Sequence, residues 1–501
     1  MITATELKKG KRVVREKIKR IRSGNSVRTL DLFAGCGGLS LGMQASGFDV
    51  VASVEFDKTA ARTHGINFFP ECDTEVHSKA RDIVPTEPSD LVAECRLGRS
   101  LGNSIDVIVG GPPCQAFARV GRAKLREIDE HPQAFLNDAR GNLYLRYLHY
   151  VSELLPLALL MENVPDAMNY GGHNIAEEVC EVLKSYGYVA SYTLLNSAYF
   201  GVPQMRERMF LIAYREELDV QVRFPEPTHY VDLPPGYKGS RDVATKALRN
   251  SHNGQKRFGF EETCYQEPPR VCKNLEPAVT TQQAIQDLPP ITLHLDGKLK
   301  KAAQRLDKLT NYDNRRKLTP YGRLMRSWSG FENDEGIYDH VIRYLPRDYQ
   351  IFRVMEPGDQ YPQAHDKAMR IFHDELAKRR RKGEELLEGS DEYEALKKSI
   401  VPPYDPSKFP NKWRKLESFL PSRTLLAHIG KDTYSHIHYD SEQARTISVR
   451  EAARLQSFPD GFRFAGSMNA ALRQIGNAVP PLMAKALGGV MKQVLEGEDG
   501  S

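Results

Sequence analysis

The sequence predicts an α/β fold, a doubly wound and mostly parallel sheet with a second, smaller domain. Three observations carry that prediction. Between Val27 and Tyr214 short apolar runs alternate with longer amphipathic stretches, and a glycine-rich turn follows the first run. Beyond Tyr214 the alternation gives way, over residues 215–440, to proline, charge and isolated aromatics. Alternating strand and helix signals are the pattern of a parallel sheet covered on both faces.

In chain order, VRTLDLF, FDVVASVEF, IDVIVGG, LALLMENV and ERMFLIAYR read as buried strands. The stretches 142–155 and 174–186 read as amphipathic helices between them, and a further strand is expected just before Asp82. A highly charged helical piece is expected around 374–398. A compact helical signature returns at TISVREAARLQSF, and the chain closes with GNAVPPLMAKALGGVMKQVL.

Composition narrows the classes. A chain of 501 residues exceeds what one compact core usually holds, so two domains are expected. No stretch of about 18 apolar residues occurs, which argues against a membrane span. The N-terminus MITATELKKGKRVVREK is charged where a secretory signal has an apolar core, so a cytoplasmic, nucleoid-associated protein is expected. The seven cysteines are scattered and none forms a C-x-x-C pair, so no metal is expected and at most one thiol is a working group. Net charge is only +5, but residues 1–28 carry ten Lys/Arg against two Glu and residues 298–326 carry ten against two Asp. Such runs suit a polyanion, whose counterions each neutralised phosphate releases, although a solvated helix face carries them too.

Four constellations carry chemistry. In LDLFAGCGGLS (Leu30–Ser40) a strand ends at Phe33 and opens through Gly35, Gly37 and Gly38 into a helix, a turn that lets backbone approach a ligand. Glu55 ends the next strand, where a carboxylate can accept ribose hydroxyls, and Asp82 could accept an adenine amino proton with Ile83 and Phe33 beside the ring. In VIVGGPPCQAF (Val107–Phe117) two prolines stiffen the approach to Cys114 at the sheet's carboxyl edge, where ligands of open α/β sheets bind. In LLMENVPDA, Glu162 and Asn163 leave a strand at that edge, and burial there would favour a protonated carboxyl. In FGVPQMRERMFLI, Gln204, Arg206 and Arg208 alternate, so both guanidiniums face one side and call for a shared anionic partner.

Together these residues closely resemble the DNA cytosine-C5 methyltransferases, in the family's order. FAGCGG looks like the cofactor turn, PPCQ the nucleophile loop, ENV the catalytic carboxylate motif and QMRER the Q-x-R-x-R motif. RTISVREAARLQSFPDGF and QIGNAVPP look like the two C-terminal motifs. The resemblance implies the S-adenosylmethionine-dependent methyltransferase fold, with a basic arm at 1–26 and a catalytic domain at 27–215. A target-recognition domain with insertions would span 216–440, and 441–495 would complete the catalytic domain.

It implies Cys114 as nucleophile on cytosine C6, Glu162 bonding N3, Arg208 holding O2 and Arg206 orienting Glu162 or a phosphate, the base being flipped from the duplex. S-adenosylmethionine would be held by Phe33, Ala34, Gly35, Gly37, Gly38, Leu39, Glu55, Phe56, Asp82, Ile83 and Pro112, with Asn477, Ala478 and Val479 folding back from the C-terminus. Gln115 and Arg122 would touch double-stranded DNA from the loop after the nucleophile, and Arg315, Arg316, Arg423 and Lys431 from the recognition domain. Ala118 stands where many relatives have serine, which bears on loop closure. A monomer is expected, of restriction-modification type, with any cognate endonuclease on another chain. A tRNA methyltransferase, a silent DNA-binding regulator and a small-molecule methyltransferase are the alternatives. They would show, respectively, a short insert after Q-x-R-x-R, loss of the Cys or Glu, and no need of a second domain.

Overall fold

The computed structural model describes residues 4–71, 74–98, 100–113, 142–169, 174–245, 263–299, 307–430 and 434–498. The chain forms two compact units, Met1–Ala278 with Ala478–Ser501, and Val279–Asn477.

The first unit is built on a sheet of β1 (Val27–Leu32), β2 (Phe48–Val54), β3 (Val107–Gly110), β4 (Ala158–Asn163), β5 (Tyr188–Asn196) and, after the two-residue β6 (Gln204–Met205), β7 (Glu207–Arg215). Its order is β2-β1-β3-β4-β7-β5. The first four strands are parallel, and β7 runs antiparallel between β4 and β5. Strand side chains alternate faces, which divides the apolar runs into two cores. Leu30, Leu32, Ile108, Leu159 and Met161 pack beneath helices Asn142–Leu154 and Ile175–Ser185. Val27, Val107, Val109, Ala158 and Leu160 pack on the other face, beneath α1 (Ala4–Arg22), α2 (Gly38–Ala45) and the closing helix Pro481–Glu496.

All five strands read from the apolar runs are present. β5 was not read from the sequence. The strand expected before Asp82 does not form: Arg81 N bonds Glu55 O at 2.7 Å, and Asp82 then turns the chain by accepting Val84 N at 3.0 Å and Thr86 N at 3.2 Å.

The basic N-terminal stretch forms a helix, Ala4–Arg22, that packs on the sheet. Val14 and Ile21 are buried, and the buried Lys17 Nζ donates to the carbonyls of Ile105, Leu154 (2.8 Å) and Leu155 (2.9 Å). Burial pushes the Lys17 ammonium down to about 7, although Asp106 favours its charge. Arg20 and Arg28 pair with buried Asp106.

Contacts also place the divisions elsewhere than composition suggested. Residues beyond 215 stay with the first unit because Tyr192 N bonds Cys264 O at 3.1 Å and Gln266 N bonds Tyr192 O at 2.9 Å. The Glu177 carboxylate adds bonds from Cys264 N and Thr263 Oγ1, both 2.8 Å.

The second unit contains an apolar cluster around Trp413, Phe352, Tyr361 and Phe372. The expected helix at 374–398 is two, Tyr361–Arg381 and Asp391–Ile400, separated by Gly383 and Gly389 in left-handed conformation. Residues 445–460 belong to this unit because their charges are buried within it. Arg454 pairs with Asp287 (3.1 Å) and Asp460 (2.6 Å), and Arg450 with Asp339 (3.0 Å). Arg445 meets Glu451 through two bonds of 2.7 Å. Among the described residues no helix is long and apolar enough to cross a membrane.

Burial works against the Glu451 charge, but the Arg445 guanidinium, with His438 and His340 nearby, holds its carboxyl well below the ordinary 4.5. A depressed carboxyl contributes stability that is full above its unfolded value and is lost as pH falls below it. Glu451→Gln leaves a buried guanidinium short of its partner, and is expected to destabilise the second unit by roughly 3–5 kcal/mol at neutral pH. Thermal melting between pH 3 and 7 checks this, the gap between variant and native protein closing toward the acid end.

Candidate active site

The glycine turn after β1 separates packing from ligand approach. A Cβ on Gly37 would lie 2.3 Å from Phe68 Cε2, and one on Gly38 would lie 2.2 Å from Val479 O, so these two glycines are required by their neighbours. Gly35, at φ +55, would meet nothing within 4 Å and faces open space. Phe33 also adopts positive φ, at 59°, a conformation uncommon for an aromatic residue and found where a site demands it. The closing segment reaches the turn itself: Ala478 and Val479 are buried beside Gly38, while Asn477 ends a helix of the second unit and is exposed.

Glu55 fastens the turn to β2. Its carboxylate accepts Gly35 N at 2.8 Å and Asp57 N at 2.7 Å. Burial raises its pKa, the two backbone bonds opposing. A carboxylate offers about four acceptor positions, so two remain for hydroxyl donors. Phe56 beside it is 74% exposed, Ile83 is buried, and Asp82 is half-buried with one oxygen on Val84 N. Ala34 and Leu39 are buried parts of the turn.

Beneath it runs a polar chain the sequence did not disclose. Ser40 Oγ donates to Asp31 Oδ2 at 2.7 Å and lies 2.8 Å from His64 Nε2, whose Nδ1 is 3.2 Å from Ser53 Oγ. Burial pushes His64 down to about 3, so the ring is neutral. Its Nε2–H then donates to Ser40, and Ser53 donates to Nδ1. Burial pushes Asp31 up to about 7, against the Ser40 bond.

One strand along, the edge carries the second group of residues. Leu32, Gly110 and Met161 are in register at the ends of β1, β3 and β4. β7 is antiparallel to β4, so it begins where β4 ends, with Met209 opposite Asn163. That places Arg208 Nε 3.0 Å from Glu162 Oε1, both side chains about one-eighth exposed, at 13% and 12%. Glu162 thus sits beside a cation. Glu162 Oε2 would be 3.1 Å from a Cβ on Gly111, so a side chain there would press on the carboxylate. Asn163 Nδ2 donates to Pro112 O at 3.0 Å, tying the end of β4 to the chain two residues before Cys114. Arg206 is buried; burial and then the like charge of Arg208 lower its pKa, while Glu162 opposes them. Gln204 is buried as well.

The structure therefore gathers the turn, Glu55, Pro112, Glu162, Arg206 and Arg208 along one edge of one sheet. Cys114, Gln115, Arg122, Ala118 and Lys431 lie outside the described residues. Arg315 is occupied by Asp313 at 2.9 Å, Arg316 Nη1 donates to Gln286 O at 2.7 Å, and Arg423 is exposed. Sequence reasoning missed the Asn163–Pro112 tie. Its signal was the asparagine directly after the edge carboxylate, in a place where a side-chain amide can reach the neighbouring strand's exit.

Gly38→Ala forces backbone apart and is expected to lower the melting temperature markedly. Gly35→Ala meets no atom, costs about 1–2 kcal/mol for its left-handed φ, and is expected to act mainly on nucleoside-donor affinity. Melting curves and calorimetric titration of the two variants separate the effects.

Comparison with known proteins bears on the edge's chemistry. The family model for C-5 cytosine-specific DNA methylase matches residues 27–493. A chain of Oceanobacillus iheyensis, named type II methyltransferase M.OihORF3336P, is 39% identical over 93% of this chain and 96% of its own. Type II methyltransferase M.AgeI of Thalassovita gelatinovora is 28% identical over 93% of this chain and 99% of its own. A solved E. coli structure, titled as a DNA modification methyltransferase encoded within a prophage, shares the fold at TM-score 0.55 and 22% identity, covering 93% of this chain and 99% of that one. Matched over nearly its whole length, the chain belongs to the C-5 cytosine-specific DNA methylase family.

Proposed function

We propose that the protein transfers a methyl group from S-adenosylmethionine to C5 of a cytosine flipped out of double-stranded DNA, through a covalent bond between Cys114 and C6. The observation that carries this reading is the Glu162–Arg208 pair at the carboxyl edge, beside a backbone segment that Asn163 holds by Pro112.

The residues at the turn fit the methyl donor. Gly35 leaves its side open, Glu55 retains acceptor positions for ribose hydroxyls, and Phe56, Ile83 and Asp82 supply an aromatic face, an apolar wall and an acceptor for adenine. When bound, S-adenosylmethionine supplies an electrophilic methyl on a sulfonium centre.

Cytosine C5 is a weak nucleophile, so the protein's task is to place electron density there. The Cys114 thiolate adds to C6 and forms the sulfur–carbon bond, which pushes the ring electrons toward C5 and N3. Glu162, carrying a proton at this stage, bonds N3 and grips the exocyclic amine, and Arg208 bonds O2; both stabilise the charge that develops in the ring. C5 takes the methyl and then gives up its proton to a base, water being sufficient, and the Cys114–C6 bond breaks. Inside stacked duplex the base is unreachable, so protein–DNA contacts must offset a flipping cost of a few kcal/mol. The second unit, with Arg423 exposed, supplies the reading of sequence in the major groove. In the cell the reaction marks DNA at one sequence, as the part of a restriction-modification pair that protects it, the endonuclease being a separate chain.

Cys114→Ser is expected to lower methyl transfer by roughly 10³-fold or more, leaving binding of S-adenosylmethionine unchanged by calorimetry. Glu162→Gln is expected to cost roughly 10²–10³-fold in kcat. Tritiated-methyl transfer to DNA checks both, and substantial turnover by the Cys114→Ser protein excludes the covalent route. Bisulfite sequencing of DNA from an expressing host reads the target sequence; methylation appearing only on tRNA would contradict the substrate.

A further inference from the structure

α1 has two faces with different work. Its inner face, Val14, Lys17 and Ile21, is buried, and Lys17 holds the carbonyls of Ile105, Leu154 and Leu155. These precede β3 and β4, so α1 lies across the amino ends of the strands, the end of the sheet opposite Glu55, Glu162 and Arg208. Its outer face exposes Lys11, Arg12, Arg15, Lys19 and Arg22, with Glu16 as the acid among them. At 3.6 residues per turn, Lys11, Arg15, Lys19 and Arg22 fall within about 80° of arc and along about 16 Å of axis. Among the described residues, Arg12 alone of these five cations is ion-paired, with Glu16 at 2.9 Å, and that pair is exposed. The family match begins at residue 27, so the helix stands outside the shared catalytic region.

We propose that this outer face is a second DNA-contacting surface, which binds the phosphates of a duplex segment other than the one engaged at the catalytic edge. The proposal rests on the reading that DNA is the substrate. A lipid surface is the poorer fit, because an interfacial helix needs apolar side chains beside its cations, and those of α1 are spent on the sheet. Phosphate contact needs only what this row has: exposed positive charge on a packed helix. Such contact is sequence-independent and strongly salt-dependent. It would keep the protein on the duplex between target sites without touching the chemistry.

The test replaces Lys11, Arg12, Arg15, Lys19 and Arg22 together by Gln; all are exposed, and melting curves should coincide with the native protein's. Binding is measured to a 40-base-pair duplex of A and T alone, which offers no cytosine to the catalytic edge. Each phosphate neutralised contributes a slope of about −0.9 in log affinity against log salt. The five-residue variant should therefore show a slope shallower by about 3 or more and an affinity at least ~10-fold weaker at low salt. Its kcat on saturating sheared genomic DNA should be unchanged. An unaltered slope and affinity overturn the proposal, as does a fall in kcat equal to the loss in binding. Failure of the native protein to methylate DNA at all would instead contradict the proposed substrate, which the genomic-DNA arm reports separately.

Discussion

The site depends on a constraint of strand direction. β1, β3 and β4 are parallel and in register, so everything that leaves them leaves at one edge. β7 inserts antiparallel against β4, and its first residues enter at the edge where β4 ends. A glutamate at one strand's exit and an arginine at the next strand's entry are thereby brought within 3.0 Å, although 46 positions separate Glu162 from Arg208. Were β7 parallel, Arg208 would begin at the far end of the sheet. The glycine turn after β1 leaves the same edge, with β3 between it and β4.

Charge is buried in two different ways in the two units. In the first, Glu55 accepts backbone N–H groups of the glycine turn and Asp57, and Glu162 meets Arg208. In the second, Arg445, Arg450 and Arg454 are wholly buried and paired with Glu451, Asp339, Asp287 and Asp460. A buried pair adds little net stability over apolar packing, but removing one member is costly. The network thus ties residues 445–460 to Asp287 and Asp339, more than a hundred positions earlier, in a unit whose described strands are two residues long.

Much of this was legible in the sequence. The five apolar runs are strands because fully buried parallel strands need continuous apolar residues, and the residues at their ends fall where that rule puts them. β5 escaped notice because YVASYTLLN interleaves small and polar residues, as an edge strand does. The segment before Asp82 looked like a strand, yet makes one backbone bond to the end of β2 and then turns on its own aspartate. Composition and contacts draw different divisions for a related reason. The former registers where the strand rhythm stops, whereas the Glu177 bonds to residues 263 and 264, and the Arg454–Asp287 pair, are contacts between distant parts of the chain. The basic N-terminus was read as charge alone; its buried side, led by Lys17, could be seen only once the sheet it covers was known.

The central claim is a transient sulfur–carbon bond at the carboxyl edge. A duplex carrying the target sequence with 5-fluorocytosine at the methylated position retains fluorine where a proton would depart, so the adduct cannot resolve. Mass spectrometry after incubation with S-adenosylmethionine should find native protein joined to that duplex, with the attachment on the Cys114 peptide. An uncoupled protein, under conditions in which the unfluorinated duplex is methylated, would contradict the claim.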